Sequence, residues 1–138
     1  DNQKIASSDA IIMIGTRISR DNPGVKYSVN IATKKQRARF IYMHPIDDIA
    51  LQNKYTQFVK YEAGSEEGVI ALLASYLIKD APSQIQSYLD DLDIGYLSGE
   101  TSVGEEEYEQ IQRELIRRKN KTLIIGEDLY MHPRAKNI

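Results

Sequence analysis

A chain of 138 residues with 41% apolar content and a formal net charge of -2 is long enough to bury a core of its own without metals or disulfides. It has no cysteine, which excludes disulfide scaffolding, thiolate metal sites, cysteine-ligated iron–sulfur clusters and cysteine nucleophiles from this segment and fits a reducing compartment. Its apolar runs fall far short of the roughly 20 residues of a membrane-crossing helix, and no signal-peptide pattern opens it, so a soluble cytoplasmic protein without direct membrane insertion is expected.

The start at Asp1 without a methionine is what an excised domain or processed chain would show. The small net charge hides a division. Residues 1–40 hold eight Lys/Arg against three Asp/Glu, whereas residues 80–114 hold ten Asp/Glu against the single Arg113. No uniform basic groove follows from that pattern, and no nucleic-acid partner is expected.

In chain order, Ala10–Ile14 is a β-branched apolar run that reads as a buried strand, ended by Gly15-Thr16. Asn22 is a good N-cap with Pro23 at the first helical position, and Val25, Val29 and Ala32 recur on one face, so a helix is expected over 23–36. A second strand at 39–43 ends at His44-Pro45, and the intervening length suits a right-handed βαβ crossover. The polar stretch 46–57 is irregular, and a short strand is expected over 58–61.

Ser65 is expected to cap a helix over 66–79, whose stripe is Val69, Leu72, Leu73, Tyr76 and Leu77. Ile85, Tyr88, Leu89 and Leu92 mark another helix over 83–92, and 94–104 is a break with room for an additional short strand. Ser102 with Glu105 reads as a capping box for a helix over 105–119 that carries Tyr108, Ile111 and Leu115, with Arg117-Arg118-Lys119 as cations at its C-terminus. A last strand covers 122–125 before Gly126. The fold expected is a single three-layer α/β Rossmann-like domain over 1–138 with a mainly parallel sheet.

Catalytic chemistry is hard to assemble from these residues. His44 and His132 are the two imidazoles, each followed by a proline that acts first as a strand or helix stop. A zinc site would need both, with Asp47 and Asp128, and no close-spaced ligand pair supports it. Ser65 lacks the G-x-S-x-G elbow, and neither a G-x-G-x-x-G fingerprint nor a P-loop occurs. What remains is a set of turns, each after a predicted strand, that parallel strands would gather along one sheet edge where α/β folds bind ligands.

Those turns, in their order and spacing, resemble the Rossmann-like domain of the molybdopterin oxidoreductase family. The likeness rests on Ile11-Ile12-Met13-Ile14-Gly15-Thr16, the Asn22-Pro23 helix start, Tyr42-Met43-His44-Pro45, Ala63-Gly64-Ser65-Glu66-Glu67, and Leu123-Ile124-Ile125-Gly126-Glu127-Asp128-Leu129 with Met131-His132-Pro133. Within that family the chain is most similar to the complex I branch, the large peripheral subunit of bacterial proton-translocating NADH-quinone oxidoreductase.

The resemblance implies an internal domain of a larger subunit. It places Gly15, Thr16, Asn22, His44, Pro45, Gly64, Ser65 and Glu66, together with Ile46, at a vestigial nucleotide cleft; in active relatives the cleft helps hold a molybdopterin guanine dinucleotide. His44 stands where an acidic residue is expected, Ile46 replaces a basic residue, Ala63 a proline and Glu66 a shorter aspartate, so several nucleotide-reading groups are lost.

The implied function is a non-catalytic scaffold with no cofactor of its own. Iron–sulfur clusters are expected elsewhere in the parent subunit. The implied partners are the rest of that subunit and other peripheral-arm subunits on the cytoplasmic face of the inner membrane. The alternative implied is a molybdopterin guanine dinucleotide-binding module of a molybdenum enzyme such as a formate dehydrogenase.

Overall fold

The computed structural model describes all 138 residues. Four parallel strands form one sheet in the order β3-β2-β1-β4, where β1 is Ala10–Ile14, β2 Arg39–Met43, β3 Gln57–Val59 and β4 Lys121–Ile125. The register pairs Ile12 with Ile41 on one side and with Leu123 on the other. A short helix α1 (Asn2–Ala6) leads into β1; α2 (Ile18–Asp21) and α3 (Pro23–Lys35) connect β1 to β2. Between β3 and β4 run α4 (Glu66–Leu77), α5 (Ser83–Asp90), α6 (Ile94–Thr101) and α7 (Glu105–Leu115), and α8 (Glu127–Tyr130) follows β4. The expected α/β architecture with a parallel sheet is the one the chain adopts.

Strand periodicity divides the core. Side chains alternate across a strand, so Ile12, Ile14, Ile41, Met43 and Val59 pack on one face beneath Val69, Leu72, Tyr108 and Ile111 of α4 and α7. Ile11, Met13, Phe40 and Tyr42 face the other way, against Ile5, Val29 and Ala32 of α1 and α3. β1 is buried on both faces, as the centre of a covered parallel sheet must be. The chain leaves β1 toward β2 and β3, then returns across β1 to lay down β4. The gap between the carboxyl ends of β1 and β4 is therefore the topological switch point.

Asn22 caps α3 as expected, its Oδ1 accepting from the Val25 amide at 3.0 Å with Pro23 at the first helical position. Other boundaries differ. The third strand is 57–59, and the helices expected over 23–36, 66–79, 83–92 and 105–119 end at Lys35, Leu77, Asp90 and Leu115. Ser65 precedes α4 but its hydroxyl donates to the Glu62 carbonyl at 2.6 Å, leaving no side-chain cap.

Ser102 sits in left-handed backbone at the end of α6, and the cap of α7 is Gly104, whose amide donates to Glu107 Oε2 at 3.0 Å. Because α7 stops at Leu115 and Arg117 has φ +65°, the basic run 117–119 lies in the loop before β4 and caps no helix. The 94–104 break holds a helix, α6, and no strand: Asp93 Oδ1 accepts from the Tyr96 amide at 2.9 Å, and Leu97 and Thr101 reach Gly68 of α4. Of the α5 stripe only Leu89 is buried; Ile85 and Tyr88 are exposed. No helix is long and apolar enough to cross a membrane.

Candidate functional site

A cleft of about 610 Å³ lies along the carboxyl edge of the sheet, formed by the loops after β1, β2 and β3 and by the segment after β4. It brings together His44, Pro45, Ile46, Gly64 and Glu66. Gly15, Thr16, Asn22 and Ser65 do not line it; Thr16 and Asn22 line a separate hollow with Ile125 and Glu127, and Ser65 one with His132 and Arg134. The cleft also takes in Arg17, Arg20 and Asp21 after β1, and Glu127, Asp128 and His132 after β4, none of which is among the residues the resemblance places at a nucleotide cleft. One signal for the second group was the repeat of a strand ending in glycine at Ile14-Gly15 and Ile125-Gly126.

The switch point itself is closed. The Gly126 amide donates to the Ile14 carbonyl at 2.8 Å and the Asp128 amide to the Gly15 carbonyl at 3.1 Å, which ties the two strand ends together. Gly15 has φ +69°, and a Cβ there would overlap Leu129, which is 1% exposed and fills the space beside the turn. Asp21 then fills the loop. Its Oδ2 accepts from the Thr16 hydroxyl at 2.9 Å and from the Arg17 amide at 2.8 Å, so a carboxylate of the chain occupies donors that would otherwise face an anion.

The turn before α4 repeats that arrangement. Glu66, 5% exposed, accepts from the Gly64 amide through Oε1 at 3.2 Å, and its Oε2 has no hydrogen-bond partner and lies 3.6 Å from His132 Nε2. His132 accepts from the Arg134 amide through Nδ1 at 3.1 Å, which leaves its proton on Nε2 to donate to the Gly64 carbonyl at 3.0 Å. A helix N-terminus that would attract a phosphate thus carries a buried carboxylate instead.

His44 is buried and stacks on Tyr42, with ring centroids 5.8 Å apart and planes 10° from parallel. Its Nδ1 accepts from the Ile46 amide at 3.0 Å, which puts the proton on Nε2, 3.2 Å from Asp128 Oδ2. The same Nδ1 lies 2.8 Å from the Ile46 carbonyl.

Tyr42 donates to the Thr16 carbonyl at 3.2 Å, and burial, reinforced by the Asp48 charge, holds its phenol protonated beyond the usual range. Tyr61 is pushed the same way by burial and by Glu66 and Asp128, and its hydroxyl has no partner.

The two histidines therefore fasten the segment after β4 to the ends of β2 and β3. Each imidazole faces a carboxylate, and neither ring is hydrogen-bonded to a serine, threonine or lysine side chain. No three or more of the His, Asp and Glu side chains converge as metal ligands, and Asp47 instead accepts from Gln52 Nε2 at 2.8 Å and the Tyr55 hydroxyl at 3.1 Å. The arrangement clasps loops to one another, and Arg17 and Arg20 line the cleft without an ion-pair partner in the chain. No family model matches the chain, and no curated protein matches it.

Proposed function

We propose that this chain is a non-catalytic structural domain of the large peripheral subunit of a bacterial NADH-quinone oxidoreductase, supporting electron transfer from NADH to quinone in the intact complex. The observation that supports the non-catalytic part is that donors at the strand ends are taken by the chain's own groups, Asp21 on the first loop and Glu66 at the start of α4, with Leu129 packed against Gly15, while the cleft beside them stays open at about 610 Å³. The assignment to that oxidoreductase rests on the order of the strand-end motifs. In this reading the domain supplies packing surface to the rest of its subunit and to neighbouring peripheral-arm subunits on the cytoplasmic side of the inner membrane. Iron–sulfur clusters of the parent lie outside it.

The second reading is a molybdopterin guanine dinucleotide-binding module, favoured by Arg17 and Arg20 at the cleft. The two separate in a titration with GMP, GDP and the pterin dinucleotide followed by amide shifts. The scaffold reading expects no saturable binding up to about 1 mM, weaker than the roughly −4 kcal/mol that such a constant represents. Binding in the micromolar range that Gly64→Val abolishes would overturn it. Co-purification with the other peripheral-arm subunits tests membership of the complex, and loss of that association on surface substitution would locate the contact.

A further inference from the structure

Helices that cover a parallel sheet run opposite to its strands, so α4 and α7 both bring their C-terminal ends to the edge where β4 begins. There the two helix ends and Lys121 enclose a groove of about 690 Å³. Its walls are fixed to one another, because the Gln112 side-chain amide donates to the Tyr76 carbonyl. Tyr76, Leu77 and Ile116 give it an apolar lining, and Ile116 is 69% exposed.

The apolar surface continues along β4. Register places Leu123 beside Ile12 and Ile125 beside Ile14, and both of those partners belong to the core beneath α4 and α7. Paired residues of adjacent strands share a face, so Leu123 and Ile125 carry that core face outward. No helix of the chain covers them: they are 51% and 36% exposed, whereas Ile12 and Ile14 are buried. A parallel sheet is ordinarily covered by helices on both faces, so this strip fits a helix lying along β4.

Charge says which kind of helix. Lys79 and Lys121 line the groove, and Arg117, Arg118 and Lys119 occupy the loop between α7 and β4; none of the five is in an ion pair. The one carboxylate in the lining, Glu109, stands 3.7 Å from Arg113, and Asp9 beside the loop is held by the Lys119 and Asn120 amides. Helix-end dipoles favour cations here, but they do not account for the apolar strip next to them.

We infer that the groove and strip receive an amphipathic helix of a neighbouring subunit whose polar face is acidic. Its apolar stripe lies on Ile116, Leu123 and Ile125, and its carboxylates meet Lys79 and Lys121. In the scaffold reading, on which this rests, the strip is where the domain packs.

The probe is a labelled helix of about 18 residues made of leucine and glutamate in helical spacing, with a leucine–lysine helix as its counterpart. Fluorescence anisotropy with the full chain is expected to show saturable binding of the acidic helix, with a Kd on the order of 100 µM that salt weakens, and none of the basic helix. Lys79→Glu combined with Lys121→Glu should raise that Kd at least about tenfold and Leu123→Ser about threefold, whereas Lys60→Glu, just past β3 at the opposite edge of the sheet, leaves it unchanged. All four side chains are exposed, and far-ultraviolet circular dichroism checks each fold.

Equal binding of both helices, indifference to the paired lysine substitutions, amide shifts away from the groove and β4, or preference for phosphatidylglycerol vesicles over the acidic helix would overturn the inference. Co-purification separates it from the scaffold reading. If the wild type and the doubly substituted chain associate equally with the peripheral-arm subunits, the acidic-helix site fails and the scaffold stands. If the wild type does not associate, the scaffold reading fails whatever the peptide does.

Discussion

At Gly126 there is no room for a methyl group. A Cβ would overlap the Gly15 carbonyl group and the Thr16 side chain, and both belong to the turn that closes the switch point. At Gly64 the surroundings are open, and only its φ of +90° opposes substitution. The two glycines therefore separate packing from backbone strain. Gly126→Ala is expected to cost about 3 kcal/mol or more, because neither strand end can move without breaking its ladder. Gly64→Ala is expected to cost about 1–2 kcal/mol. Urea unfolding of both variants checks the ranking, and the reverse order would mean that the β1–β4 closure is softer than its hydrogen bonds imply.

Among the elements, α7 depends on its burial. Its first turn holds Glu105, Glu106 and Glu107, favourable at a helix N-terminus, but a helix of eleven residues is marginal alone and draws its stability from one face. That face is Tyr108, Ile111 and Leu115; Tyr108 stacks on Tyr76 of α4 at 5.1 Å and 5°. Ile111→Ala should cost about 2–4 kcal/mol through the cavity it leaves under the sheet. Ile85 of α5 has the same chemistry and a similar place in a predicted stripe, yet is 47% exposed, and Ile85→Ala should shift stability by no more than about 0.5 kcal/mol. Thermal denaturation of the pair measures the difference. Periodicity alone ranks the two stripes equally, because it reports which residues share a face and not what that face meets.

For the whole molecule, two carboxylates tie distant parts together. Asp9 accepts from the Lys119 and Asn120 amides, each at 3.0 Å, holding the loop before β4 to the start of β1. Asp48 accepts from the Ser19 hydroxyl at 2.6 Å and the Ala50 amide at 3.0 Å, linking α2 to the loop after β2. Partial burial alone would raise both pKa values, but the amides and Arg118 at Asp9, and Ser19, Ala50 and Arg17 at Asp48, outweigh it and lower them. The unfolded chain, with Asp near 3.9, then takes up protons first as the pH falls. The contribution is complete above about pH 4 and is lost as pH drops through the lower folded values. Urea midpoints measured downward from neutral pH should fall more for the wild type than for Asp48→Asn, and parallel curves would remove Asp48 from the linkage.

What the amino-acid sequence determined by itself is local. The strand cores at 10–14 and 39–43, the Asn22-Pro23 start of α3, the stripes of α4 and α7 and the α/β class all follow from interactions within a few residues, and these are legible as spacing. His44, Gly64 and Glu66 were legible as strand-end residues for the same reason. Tertiary structure decided the rest. Asp128 meets the His44 ring and His132 the Glu66 carboxylate only because segments far apart in the chain pack together. Leu129 and His132 belong to the site only because β4 returns beside β1 and carries them across the switch point. Strand order likewise left β4 and not β3 as the open edge, a choice made by packing between residues more than a hundred positions apart, which no local pattern encodes.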